Sequence, residues 1–153
     1  MEIQLKLHQS GEAIPFDLLL KADPDKQKID SYLSQGDLYL AKNKAQEVVG
    51  VYVIQEVVSQ EWEILNIAVV DHYQNQGIGQ QIIDQVVVQV RRQNAQKLWV
   101  ATANSSIGQL AFYQKCGFEM HAIIPDFFTQ HYTEPIIENG IVAKHQVRLL
   151  MKL

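Results

Sequence analysis

The chain lacks the marks of several protein classes. It has one cysteine, Cys116, so an internal disulfide framework is excluded and a reducing compartment suits it. No apolar segment approaches the ~20 residues that a membrane helix needs, so no membrane partner is expected. Basic charge is not in excess: 13 Lys and Arg stand against 17 Asp and Glu, for a net charge of -4. That balance argues against a phosphate-coating surface, and nucleic acid is not an expected partner. The five histidines are scattered without metal-ligand spacing, so no metal site is expected. The first residues carry Glu2 and no long apolar run, so no secretory signal is expected and a cytoplasmic location follows. There is no internal repeat, no low-complexity tract and no long linker. What remains is 153 residues, 47% of them hydrophobic. That length predicts a single domain spanning 1–153, large enough to bury roughly 68–70% of the surface the open chain exposes.

Along the chain, Ile3, Leu5 and Leu7 alternate with polar residues, which predicts a strand with one buried face. Pro15 suits the start of a short helix over Phe16 to Ala22. Asp23-Pro24-Asp25 breaks the pattern, and a second helix runs to Leu33 and stops near Gly36. Strands follow at Leu38 to Lys42, Val48 to Val58 and Trp62 to Val70, in an order that favours an antiparallel meander. Ile78, Ile82, Val86 and Val90 then recur every four residues among glutamines, the pattern of an amphipathic helix. Lys97 to Ala103 reads as a buried strand. Ser105 or Ser106 suits the cap of a helix through Leu110, Ala111 and Tyr113, with Gly117 just past its end. Phe118 to Ile124 and Gln146 to Leu153 read as strands. Pro125 to Lys144 reads as irregular.

Gln74-Asn75-Gln76-Gly77-Ile78-Gly79 lies between a strong strand and a strong helix. A helix start leaves backbone N–H groups unpaired and carries partial positive charge, so this loop suits a phosphate or pyrophosphate without any lysine. No Gly-Lys-Ser/Thr ending follows, which excludes a nucleotide-hydrolase phosphate loop. The dinucleotide fingerprint needs Gly or Ala where Ile82 stands.

The same six residues match the Gln/Arg-x-x-Gly-x-Gly/Ala signature of the GNAT superfamily of acyl-CoA-dependent N-acetyltransferases. Asn66-Ile67-Ala68-Val69 resembles that family's central strand. Asn104, followed by Leu110-Ala111-Phe112-Tyr113-Gln114-Lys115-Cys116-Gly117-Phe118, resembles its second motif. The three segments stand in the family's order over about Glu61 to Glu119. The resemblance implies an α/β (α+β) fold: a mixed, mostly antiparallel central sheet with helices on both faces and a splayed central strand pair. It implies acetyl-CoA as co-substrate. By the same resemblance, the main chain of Ile67, Ala68 and Val69 pairs with the pantetheine arm. The Val69 N–H polarises the thioester carbonyl. The N–H groups of Gln76, Gly77, Ile78 and Gly79 hold the pyrophosphate with Gln74 beside them, and Asn104 contacts the pantetheine arm.

Tyr113 matches the family's general acid, which protonates the departing thiolate. An amine acceptor is mostly protonated at neutral pH, so a base is also needed. Glu63 is the first candidate, six residues before Val69, where the histone-acetylating branch places its glutamate. In a regular strand Glu63, Leu65, Ile67 and Val69 share one face; a bulge alters that. Glu61 and a water chain are the alternatives. Cys116 reads as a small buried residue of the second motif. Asp126-Phe127-Phe128 through Tyr132, Glu134 and Glu138 combine aromatics with carboxylates, which suits one wall of an acceptor pocket for a cationic amine. A packed connection or a dimer contact uses those residues equally well. The expected function is acetyl transfer from acetyl-CoA to a primary amine of a small molecule or lysine, by direct attack in a ternary complex. The alternative is a non-catalytic acyl-CoA-binding regulatory module of the same fold. A homodimer through the C-terminal strands is the assembly the resemblance suggests.

Overall fold

The computed structural model of the protein describes residues 1–153. The chain runs β1 (Gln4–Leu7), α1 (Phe16–Ala22), α2 (Lys26–Leu33), β2 (Asp37–Lys42), β3 (Val48–Val58), β4 (Glu61–Val69), a 3-10 turn (Asp71–Tyr73) and α3 (Ile78–Arg91). It continues with β5 (Lys97–Ala103), α4 (Ile107–Lys115), β6 (Glu119–Ile124), α5 (Phe127–His131), the two-residue strands β7 (Ile137–Glu138) and β8 (Ile141–Val142), and β9 (Gln146–Lys152). Seven strands form one sheet in the order β1-β2-β3-β4-β5-β9-β6. Only β4 and β5 are parallel; every other neighbour is antiparallel. The parallel pair needs a crossover, which α3 supplies.

Helices cover both faces, and alternation along β3 feeds each side. Tyr52 and Ile54 join the core under α3 and α4, with Ile78, Ile82, Ile83, Val86, Val90, Tyr113 and Phe118. Val51 and Val53 join the smaller core under α1 and α2, with Leu18, Leu19 and Ile29. The four-residue recurrence in α3 is what puts its five buried residues on one stripe. Its valines have low helix propensity, so burial against the sheet holds the helix.

Three expectations need correction. β1 is an edge strand with little burial: Leu7 is exposed, and the buried anchor is Ile3 just before the strand. Ser106 stands at the N-cap of α4 as expected, but its hydroxyl makes no capping bond; it and the Ser105 hydroxyl donate to Glu138 instead. The segment 125–144 is not wholly irregular, because it holds α5 and the β7–β8 hairpin. No helix is long and apolar enough to cross a membrane.

Helix α2 matters for the site, and its start is well specified. The Asp25 side chain accepts from the N–H groups of Gln27 (2.9 Å) and Lys28 (3.4 Å). Asp25→Ala removes that cap and is expected to lower stability by about 1 kcal/mol, read from the urea midpoint at unchanged slope.

Candidate active site

The site begins with a break in the sheet. β4 and β5 pair from Glu61–Lys97 only to Ile64–Val100. Beyond that the strands part, although β4 continues to Val69 and β5 to Ala103. A bulge at Leu65 accompanies the parting: Ile54 faces Ile64, but Val53 faces Asn66. A bulge adds a residue to one strand and bends it.

The bulge also switches which side chains face which way. Trp62 and Ile64 lie in the α3/α4 core, whereas Asn66 donates to the Leu19 carbonyl at 3.0 Å on the α1/α2 side. Beyond it Ile67 returns to the α3/α4 core and Ala68 to the α1/α2 core. Glu63 therefore does not share a face with Ile67 and Val69, as a regular strand would have it. It lies on the α1/α2 side, with Asn66 and Ala68.

The backbone of β4 is left partly free by the same geometry. The Val70 N–H donates to the Val49 carbonyl at 2.9 Å. Antiparallel ladders alternate bonded and non-bonded pairs, so Val51–Ala68 is a bonded pair while Gly50–Val69 and Tyr52–Ile67 are not. The N–H and C=O groups of Ile67 and the N–H of Val69 thus point toward β5, into the gap. The Val69 carbonyl is taken by the Gln74 side chain at 3.1 Å. The Ala68 backbone is spent on β3.

A cavity of about 510 Å³ occupies the parting. Glu63, Ile67 and Tyr113 line it, with Asp23, Lys28 and Tyr32 from α1–α2 and Phe127, Phe128 and Tyr132 from the α5 region. Of the expected acceptor wall, Phe127, Phe128, Tyr132 and Glu138 face this cavity. Glu134 faces a smaller adjacent one of about 170 Å³, and Asp126 turns toward His145.

Tyr113 is buried among Phe112 and Phe118, and its hydroxyl has no hydrogen-bond partner in the chain. Burial pushes this phenol well above its ordinary range, so it stays protonated at neutral pH. Glu63 Oε1 accepts from Arg148 Nη2 at 2.7 Å, and Arg148 in turn stacks 5.2 Å from the Trp99 ring. Glu61, the alternative base, accepts from Trp99 Nε1 at 2.9 Å and does not line the cavity. Arg148 was missed from sequence. Its one signal is a guanidinium at the outward position between the buried Val147 and Leu149.

The glycine loop lies outside the cavity, at the start of α3. Gly77 sits at the helix N-cap with φ +80°, and a Cβ there would meet nothing within 4 Å. The first N–H groups of α3 have no side-chain cap, and the space before them is open. That combination fits a pyrophosphate. Gly79 has a different reason: a Cβ there would stand 2.9 Å from the ring of Phe112 on α4. Gly77→Ala is expected to cost about 1 kcal/mol through left-handed strain. It should also weaken acetyl-CoA several-fold; thermal unfolding and calorimetric titration read the two effects. Asn104 is largely engaged, accepting from the N–H groups of Lys144 and His145 and donating to the Val142 carbonyl. One amide hydrogen remains free. Cys116 is half-buried beside Gln80, and burial pushes its thiol up to about 11, which makes it a poor nucleophile.

Residues 9–118 match the acetyltransferase (GNAT) family model. The uncharacterized N-acetyltransferase YvbK of Bacillus subtilis (strain 168) is 41% identical over 99% of this chain and 97% of its own length. A GNAT family acetyltransferase from Elizabethkingia anophelis, whose crystal structure has acetyl-CoA bound, is 46% identical with a TM-score of 0.95, covering 99% of this chain and 98% of that one. An IAA acetyltransferase from Bacillus cereus ATCC 14579 is 44% identical with a TM-score of 0.92, covering 99% of this chain and 100% of that one.

Proposed function

The chain belongs to the GNAT acetyltransferase family, and from that premise we propose that it transfers the acetyl group of acetyl-CoA to a primary amine of a small molecule or lysine. The reading takes residues 1–153 as one catalytic domain acting in the cytoplasm, as a homodimer through its C-terminal strands. The observation that carries it is the cavity at the β4–β5 parting, which holds a carboxylate, Glu63, and an unpartnered phenol, Tyr113, beside free backbone groups of β4.

Acetyl-CoA supplies an activated acyl group as a thioester. The uncapped N–H groups of Gln76 to Gly79 hold its pyrophosphate, with Gln74 fixing the loop to Val69. Ile67 and Val69 offer main-chain groups to the pantetheine arm, Ala68 sets their spacing, and Asn104 offers its remaining N–H. The Val69 N–H faces the developing oxyanion. Glu63, held by Arg148, takes the proton from an amine that arrives as a cation, and the neutral amine attacks directly. Tyr113 gives its proton to the departing sulfur, and the second proton, which the nitrogen sheds as the amide forms, restores the phenol. Burial keeps the phenol protonated at neutral pH, so it has its proton to give when the sulfur leaves.

A panel of amines, polyamines, amino acids and lysine peptides incubated with acetyl-CoA tests the reading by mass shift. An N-acetylated product supports it. Stabilisation of the protein by acetyl-CoA with no product from any amine would favour the non-catalytic acyl-CoA-binding module instead.

A further inference from the structure

The cavity's hydrogen-bonding ledger is uneven. Its carboxylates are each held by donors of the chain. Glu63 has Arg148 at 2.7 Å, Glu138 has Ser106 at 2.8 Å, and Asp23 has the Tyr132 hydroxyl at 2.9 Å and the Asp25 N–H at 3.1 Å. One lining lysine, Lys21, is paired with Asp71. The other, Lys28, is in no ion pair. Its ammonium lies 4.9 Å from the centroid of the Tyr132 ring, a weak contact that leaves its hydrogens free. One helical turn later on the same face, the Tyr32 hydroxyl accepts from Asn66 Nδ2 at 2.8 Å, and its own proton has no acceptor. Two donors of α2 therefore face the cavity unsatisfied, while its acids are already served.

We infer that Lys28 and Tyr32 form an oxyanion subsite, and that the acceptor is an amine which also carries a carboxylate. This rests on the acetyl-transfer reading above. The amine faces Glu63 on β4 and the carboxylate faces α2. The aromatic rings of Phe127, Phe128 and Tyr132 enclose the carbon skeleton between them. Asp23, the carboxylate nearest this end, is already engaged by the Tyr132 hydroxyl and the Asp25 N–H. An ammonium next to a carboxylate in a partly enclosed site is a strong, orienting contact. It adds binding without touching the reacting atoms, so its loss belongs in KM rather than kcat.

The test compares matched acceptors. Leucine is set against isoamylamine, and 5-aminopentanoate against pentylamine, with wild type, Lys28→Met and Lys28→Arg. The amino carboxylates should be preferred in kcat/KM. Lys28→Met should raise their KM roughly 10-fold at little-changed kcat. The plain amines should be unaffected, and Lys28→Arg should retain the preference. Equal or better use of the plain amines by wild type would overturn the inference, as would a Lys28→Met loss shared by both classes. A second arm needs no turnover: with CoA bound, pentanoate should raise Tm more than pentan-1-ol does, and Lys28→Met should abolish the difference. No difference in the wild type would also overturn it. If no amine is acetylated but pentanoate binds through Lys28, the acetyl-transfer reading fails and the subsite stands.

Discussion

Tyr113→Phe is expected to lower kcat for acetyl transfer roughly 100-fold, the lower end of general acid catalysis, because a thiolate is a fair leaving group even unassisted. Binding of acetyl-CoA should change little. The hydroxyl has no partner in the chain, so its removal strands nothing, and the ring packing with Phe112 and Phe118 survives. The pH profile gives a second readout. An acid must be protonated to act, and burial raises this phenol above its usual value near 10. Activity should therefore show no fall from loss of the acid between neutral pH and about 10. A kcat equal to wild type removes Tyr113 from that role.

Glu63→Gln is expected to lower kcat/KM at neutral pH by a similar factor, roughly 100-fold, and to flatten the acidic limb of the pH–rate profile. The amide keeps the shape and accepts from Arg148, yet takes up no proton. Folding should be largely kept, which thermal unfolding checks. Persistence of the acidic limb would move the base elsewhere, to Glu61 or a water chain. The structure bears on that choice, since the Glu61 carboxylate is turned to Trp99 and away from the cavity.

Local pattern carried much of the fold. The four-residue recurrence from Ile78, the β-rich run Val48–Val58 and the strand Lys97–Ala103 all appear where periodicity put them. The GNAT motifs then named the parting of β4 and β5. What local pattern did not carry is long-range. The extra residue at Leu65 is defined only by its partner strand, and it places Glu63 on the face opposite Ile67. Arg148 reaches Glu63 from 85 positions away. The α5 helix is five residues long and aromatic, too short for a period. Lys28 and Tyr32 carry no local signal, since only the packing of α2 over the parting turns them to the cavity.

The net charge of -4 takes on a clearer meaning. It does not oppose an anionic co-substrate, because uncapped N–H groups at α3 serve the pyrophosphate without lysine. Nor do the carboxylates lining the main cavity, Asp23, Glu63 and Glu138, form a free anionic surface, since each is tied to a donor within the chain.

A single-turnover experiment with acetyl-labelled acetyl-CoA and a turned-over amine tests the central claim most directly. Direct transfer predicts that labelled N-acetyl amine and free CoA appear in equal amounts and at one rate, with no label on the protein at any time. Label that remains on CoA while the complex persists would contradict acetyl transfer. Label that passes through the protein would contradict direct attack.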